Sequence, residues 1–256
     1  MTATTVTGPA ALRLLGDDRR WRLLQELART DARVGELVQR IGSPQNLVSY
    51  HLAQLRRAGI VSTRRSTADG RDTYYRLEVQ RCGELLATAG AQLTPSLHLT
   101  RRRGPRRFTG PPRRVLFLCT GNSARSQMAE ALAVHLSDGA VQARSAGSHP
   151  KPVHPYAVQV MAERGIDIST ATSRHLDEVV DHPVDRVITL CDKVREVCPE
   201  LPGATASHWS TPNPADAEEA DRYDAFARTA AELEDRVGVL LDELSTPADE
   251  EDPDGR

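Results

Sequence analysis

Within eight residues the chain carries a thiol, a glycine and an arginine, in Cys119-Thr120-Gly121-Asn122-Ser123-Ala124-Arg125-Ser126. That set can hold and attack a tetrahedral oxyanion. A short loop whose N–H groups point inward, continued by a helix start, is an anion cradle. Gly121 is expected to let the backbone turn tightly. The Arg125 guanidinium is a planar fork that grips two oxygens. The same anion-stabilising groups favour thiolate over thiol, which makes Cys119 a candidate nucleophile. Two more thiols, Cys191 and Cys198, bound the stretch CDKVREVC. A hydrolase needs one cysteine. A reductase needs a place for two electrons, and a disulfide is one.

Each of these residues needs an element to position it. The apolar run Val115 to Leu118 predicts a buried strand ending at Cys119, and Met128, Ala129 and Leu132 share one side of the helix after the loop. Val141 to Ser145 predicts a second strand, closed by Ala146-Gly147. Val184 to Leu190 predicts a third, which delivers Cys191. A weaker fourth lies near Ala204 to Trp209. Helices are expected from His154-Pro155, around Leu176 to Val180, and from Tyr223 to Leu244. In the last, Phe226, Ala230, Leu233, Val237, Leu240 and Leu241 face inward. Strands alternating with helices give a parallel sheet covered on both faces, with ligands at the carboxyl ends of the strands. Cys119 and Cys191 can therefore be neighbours in space.

The loop from Cys119 to Ser126 resembles the phosphate loop of low-molecular-weight protein tyrosine phosphatases, and more closely that of arsenate reductases built on the same fold. The placing of Cys191 and Cys198, with Val187-Ile188-Thr189-Leu190-Cys191-Asp192, Cys198-Pro199 and His208-Trp209, is similar to the three-cysteine relay of thioredoxin-coupled arsenate reductases. The resemblance implies an α/β three-layer domain with a four-stranded parallel sheet over residues 113–245. It makes Cys119, Cys191, Cys198 and Arg125 catalytic, with residues 120–126 as the oxyanion site. Thioredoxin or a small thiol would be the external reductant, with no bound cofactor or metal. Three departures stand out. Asn213-Pro214 replaces the Asp-Pro that carries the family's general acid, and an amide delivers no proton. Ala124 stands where some members have another cysteine. Some members bind potassium through an Asn, a Glu, a Ser and an Asp; Asn122, Glu130 and Ser145 match, but the Asp position is Arg174, so a fixed cation is expected in place of the ion.

The 256-residue chain has a formal net charge of −2 that hides an asymmetry. Up to Arg114 there are 21 arginines, no lysine and nine acidic residues, a formal +12; the remainder is −14. The basic part is suited to a polyanion. In it, Ala10 to Leu15 predicts a short helix, and Asp17-Asp18 opens another through Ala28. Val34, Leu37, Val38 and Ile41 mark a third. Ser43 is expected to cap a fourth from Pro44 to Ala58, which buries Leu47, Val48, His51, Leu52 and Leu55. Ile60 to Arg65 and Thr73 to Leu77 read as strands joined at Asp69-Gly70. These elements spell a winged helix-turn-helix, mostly α with a β-wing.

Residues 10–93 resemble the ArsR family of metal-responsive repressors, through Leu15-Gly16-Asp17, Val48-Ser49-Tyr50-His51-Leu52, Leu55 to Val61 and Tyr74 to Leu77. The resemblance implies a homodimer on operator DNA. Gln45, Asn46, Ser49 and Tyr50 would read base edges. Arg64, Arg65 and Arg71 would hold phosphates. The family's Cys-Val-Cys metal trap is absent, since Arg33-Val34-Gly35 occupies that place. Cys82 reads as a small packed residue. Residues 94–112, rich in Arg and Pro, read as a flexible linker, and the acidic residues 246–256 as a disordered tail.

Residues 1–20 lack an apolar block, no run is long enough to span a membrane, and four cysteines do not make a disulfide scaffold. A reducing cytoplasm is the expected location. The reading is of a multi-domain protein: an arsenate reductase fused to a DNA-binding regulator of arsenic resistance. Two other readings use the same residues. One is a regulator whose second domain only senses oxyanion or redox state. The other is a tyrosine phosphatase fused to a DNA-binding domain, which would leave Cys191 and Cys198 idle.

Overall fold

A computed structural model describes residues 8–68, 70–94, 97, 106–108 and 110–245. The expectations for Asp69, for most of the linker and for the acidic tail lie outside these residues. The described chain forms two units, divided at Arg103 and Gly104.

In the first unit, helices α1 (Gly8–Leu15), α2 (Asp18–Arg29), α3 (Val34–Ile41), α4 (Gln45–Arg57) and α5 (Val79–Leu93) surround a small antiparallel sheet. Its strands β1 (Ala32–Arg33), β2 (Val61–Arg65) and β3 (Thr73–Leu77) lie in the order β1-β3-β2. Helix α1 is already present at Gly8, ahead of the expected Ala10, and the Gly8 N–H donates to Gln92 Oε1 of α5 at 2.6 Å. Asp17 caps α2 by accepting from the Arg20 amide. The expected Ser43 cap is not used. Pro44 is itself the N-cap, with φ −56° and ψ 143°, and its carbonyl accepts from the amides of Leu47 and Val48. Leu47 is half-buried rather than buried, whereas Val48, His51, Leu52 and Leu55 are buried as expected. Helix α5 and strand β1 went unread in the sequence. Cys82 on α5 is half-buried against the core, and burial pushes its thiol up.

The second unit holds a parallel sheet of β4 (Arg113–Cys119), β5 (Val141–Gly147), β6 (Arg186–Thr189) and β7 (Thr205–His208), in the order β5-β4-β6-β7. Helices α6 (Arg125–Leu136), α7 (Pro155–Ala162), α8 (Asp192–Val197) and α9 (Arg222–Ser245) complete it. Phe117, Leu118, Met128, Leu132, Met161, Phe226, Leu233 and Leu241 form one core. Burying each such side chain contributes about 1.5–3 kcal/mol. The register pairs Leu118 with Ala146 on one side and Thr189 on the other. The carboxyl ends of three strands therefore meet at Cys119. The expected helix around Leu176 to Val180 is only a 3-10 turn, Leu176–Glu178, begun by a capping box at His175.

The linker expectation needs correction at its end. Arg106 donates to Asp242 Oδ1 at 2.8 Å and to the carbonyls of Gly238 and Leu136. Phe108 packs against the core. Residues 106–108 therefore belong to the second unit, because the guanidinium bonds the last carbonyl of α6, at Leu136, and two acceptors on α9, Gly238 O and Asp242.

Candidate active site

Strand β4 delivers Cys119, and α6 starts six residues later at Arg125. The loop between them turns its carbonyls outward. Thr120 O accepts from the His149 amide at 2.8 Å, Gly121 O from Lys151 at 2.9 Å and Ser123 O from His154 at 2.8 Å. Asn122 O accepts from Ser173 Oγ at 2.8 Å. These bonds hold the loop carbonyls from outside, the arrangement in which an anion nest turns its N–H groups inward. The left-handed position in the loop is Asn122, at φ +45°, which the sequence did not mark. Asn122 is held there by its side chain. Its Oδ1 accepts from Gln127 Nε2 and from the Arg174 amide, and its Nδ2 donates to the hydroxyls of Ser126 and Ser145.

That network ends on the candidate nucleophile. Ser126 Oγ lies 2.9 Å from Cys119 Sγ. Asn122 donates to the same hydroxyl, which leaves the serine hydrogen free to turn to a Cys119 thiolate. At the other end Ser145 Oγ donates to Glu130 Oε2 at 2.5 Å, and Arg174 Nη1 lies 3.2 Å from the same oxygen. Arg174 Nη1 also donates to Ser145 O at 3.4 Å. The residues at this place do not fit a metal ion, because the guanidinium supplies the carboxylate's counter-charge.

Arg125 is 7% exposed. Its Nη1 donates to Thr211 O at 2.8 Å, and its Nε is buried with no hydrogen-bond partner. A buried charged donor left unsatisfied in this way is costly, and an anion's oxygen would satisfy it.

All four cysteines are free thiols. Cys191 follows β6, is 2% exposed, and places Sγ 3.2 Å from Thr120 Oγ1 in the loop. The residue before it, Leu190, donates its amide to Leu118 O at 2.7 Å, so Cys191 leaves β6 next to the end of β4. Cys198 lies at the far end of α8, half-buried, with its thiol pushed up by burial. Asn213 is half-buried and donates from Nδ2 to Asp216 Oδ1 at 2.6 Å.

The sequence reading missed Gly147. A Cβ there would stand 2.6 Å from Thr120 O, 2.8 Å from Asn122 N and 2.9 Å from Cys119 O, all backbone. A glycine closing a strand is the signal that could have found it, since it marks close backbone approach. It also missed Thr211 and Ser173, which act through neutral groups and carry no pattern.

In the first unit Gln45, Asn46, Ser49 and Tyr50 lie exposed along α4, with Tyr50 at 58%. Arg65 and Arg71 are exposed and Arg64 half-buried; Arg64 and Arg65 lie on β2 and Arg71 in the turn before β3. On the inner side of α4, His51 is buried with no hydrogen-bond partner on either ring nitrogen, and Asp17 Oδ1 is 3.7 Å away.

Comparison with known proteins agrees with both parts. Residues 17–63 match the pattern of the bacterial regulatory protein, arsR family. Residues 114–249 match that of the low molecular weight phosphotyrosine protein phosphatases. An arsenate reductase of Bacillus licheniformis is 42% identical over 127 residues, which is 48% of this chain and 91% of that protein. Arsenate reductases of Halalkalibacterium halodurans and Bacillus subtilis are 40% and 38% identical, covering 50% and 48% of this chain and 94% and 91% of theirs. Among the described residues no helix is long and apolar enough to cross a membrane. With this sheet, this loop and these relatives, the chain belongs to the low molecular weight phosphotyrosine protein phosphatase family, among its arsenate reductases, and carries an arsR-family DNA-binding domain ahead of that domain.

Proposed function

We propose that the chain reduces arsenate to arsenite by a three-cysteine relay and, through its first domain, binds operator DNA as a homodimer in a reducing cytoplasm. The observation that carries the reductase reading is the Cys191 thiol, 3.2 Å from the hydroxyl of loop residue Thr120, with Cys198 seven residues on. A hydrolase has no use for either thiol.

In the first step Cys119 thiolate attacks arsenic(V) held by the loop amides and Arg125. An S–As bond forms and one oxygen leaves as water, its proton coming from solvent. Cys191 thiolate then attacks Cys119 Sγ. The S–S bond forms, the S–As electron pair passes to arsenic, and arsenite departs. Cys198 thiolate next attacks Cys191 Sγ and releases Cys119 thiolate. An external dithiol, thioredoxin or a small thiol, reduces the Cys191–Cys198 disulfide.

Helix α8 sets a geometric condition on the third step. Residues seven apart in a helix lie ~10 Å apart at 1.5 Å rise, beyond the ~7 Å bridging limit. Segment 192–198 must therefore uncoil on oxidation.

Thioredoxin-coupled NADPH consumption with arsenate tests the reading. Turnover should vanish in Cys191→Ser. Aryl phosphate hydrolysis that survives both Cys191→Ser and Cys198→Ser, without arsenate turnover, would replace the reductase with a phosphatase. For the first domain, Gln45, Asn46, Ser49 and Tyr50 are the proposed base contacts, and Arg64, Arg65 and Arg71 the phosphate contacts. Single alanine variants of the latter should weaken binding across all sequences and lower its salt dependence.

A further inference from the structure

Asp192 follows Cys191 directly and is the first residue of α8. Its side chain is fully buried, at 0% exposure. Two donors from the segment that ends β7 converge on one oxygen, Oδ1: Ser210 Oγ at 2.7 Å and His208 Nε2 at 3.0 Å. The His208 ring is fixed in turn, with Nδ1 2.8 Å from Thr189 Oγ1 and 3.1 Å from Thr189 O on the adjacent strand. Backbone bonds run in parallel, from the Trp209 amide to Thr189 O at 2.8 Å. A carboxylate taken fully out of water persists only with such donors, and pulling it from them is costly.

The other end of the same segment is held differently. Val197 is 59% exposed, and Cys198, half-buried against the core, makes a weak thiol contact to Pro199 O at 3.5 Å. Val194, between Asp192 and Val197, is buried and must leave the core when the segment unwinds. The helix between has six residues, too few to be stable by itself.

We infer that Asp192, clamped by His208 and Ser210, is a positioning residue: the fixed pin of the redox segment, which holds Cys191 at the strand end beside Cys119 while residues 193–198 unwind and bring Cys198 to it. The inference rests on the relay proposed above and adds which thiol travels. In the exchange, Cys198 thiolate forms the new S–S bond with Cys191, the Cys119–Cys191 bond breaks, and Cys119 leaves as thiolate. No outside electron donor enters that step.

The test uses the full chain with stoichiometric arsenate, quenched in time and mapped for disulfides by mass spectrometry. Asp192→Ala should slow formation of the Cys119–Cys191 disulfide tenfold or more, and Ser210→Ala about threefold. Asp192→Asn keeps an oxygen at Oδ1 for both donors and should stay within threefold of wild type. Phosphate affinity, which reports the loop and Arg125, should hold within twofold in all three. In Cys198→Ser chain oxidised by arsenate, amides of 193–198 should exchange hydrogen at least tenfold faster than in the reduced chain, with 192 and 208–211 still protected. Wild-type disulfide kinetics in Asp192→Ala would overturn the inference, as would parallel loss of phosphate binding in Ser210→Ala, or deprotection of 192 with its neighbours. If Asp192→Ala does not fold, Ser210→Ala and the exchange pattern decide. If the wild-type chain forms no Cys119–Cys191 disulfide, the relay itself falls and the pin with it.

Discussion

Replacing Gly147 by alanine probes the anion nest without touching any group that does chemistry. The added methyl would stand 2.6 Å from Thr120 O, where ordinary contact begins at 3.4 Å, and would press on Asn122 N and Cys119 O as well. Relieving the first contact alone needs a displacement of about 0.8 Å, beyond the ~0.5 Å within which a preorganised site stays productive. None of the opposing atoms is a side chain that could rotate away. The loop would have to move against the outward bonds to His149, Lys151 and His154. A misplacement of this order should lower phosphate affinity and arsenate kcat/KM by about 10–100-fold, or roughly 1.4–2.7 kcal/mol. Overpacking should also cost about 1–3 kcal/mol of stability. The comparison is Gly121→Ala, within the loop itself. There a methyl meets the movable Ser123 Oγ at 3.1 Å and the Lys151 stem at 3.8 Å, at a backbone angle alanine can adopt. Its loss should be at least fivefold smaller. Phosphate titration calorimetry and coupled NADPH turnover measure both variants. Equal losses, or full activity in Gly147→Ala, would refute the view that strand β5 sets the loop's shape by close backbone approach.

Other consequences follow from particular contacts. Arg174→Ala leaves Glu130 without the cation beside it. Turnover should drop and recover partly with added potassium, whereas the wild-type rate should be the same in potassium and sodium chloride; potassium activation of wild type would contradict this. Asn213→Asp should raise arsenate turnover. The new carboxyl would face Asp216, now bonded to Asn213 at 2.6 Å, and two close carboxyls keep one proton between them. An unchanged rate would show that the position is idle. Burial holds the His51 imidazole below its ordinary value of 6.5. The unfolded chain therefore takes up more protons as pH falls through 6.5, and stability should fall with it until the folded-state value is passed. His51→Leu removes two buried ring nitrogens that lack partners. It should cost little at pH 7.5 and flatten that slope in thermal melts; slopes identical to wild type would refute the assignment.

Much of this was readable in the linear chain, for a common reason. Strand β4, the loop and α6 are contiguous, so a run of apolar residues, a turn and a helical period report them without long-range information. The same holds for α4 and the wing, whose spacing marks both the buried face and the exposed Gln45, Asn46, Ser49 and Tyr50. Local signals failed where a distant group decides the outcome. The amide of Gly8, outside the expected helix, donates to Gln92, 84 residues on. Arg106, read as solvated linker, is fixed by carbonyls of Leu136 and Gly238. The left-handed turn at Asn122 went unread, since the fourfold bonding of its side chain comes from residues 126, 127, 145 and 174.

The amino-acid sequence by itself determined the reacting groups: one thiol before an arginine-bearing loop, two more thiols downstream, an amide in place of an acid. Residue identity and local spacing fix those, because chemistry resides in side chains and short-range geometry in the backbone. Only the tertiary structure decided which groups share a position. Parallel pairing of β4 with β6 sets Cys191 against Thr120, and the end of β7 sets His208 and Ser210 on Asp192. Those meetings depend on sheet order and register, which the core selects as a whole and no single stretch of chain encodes.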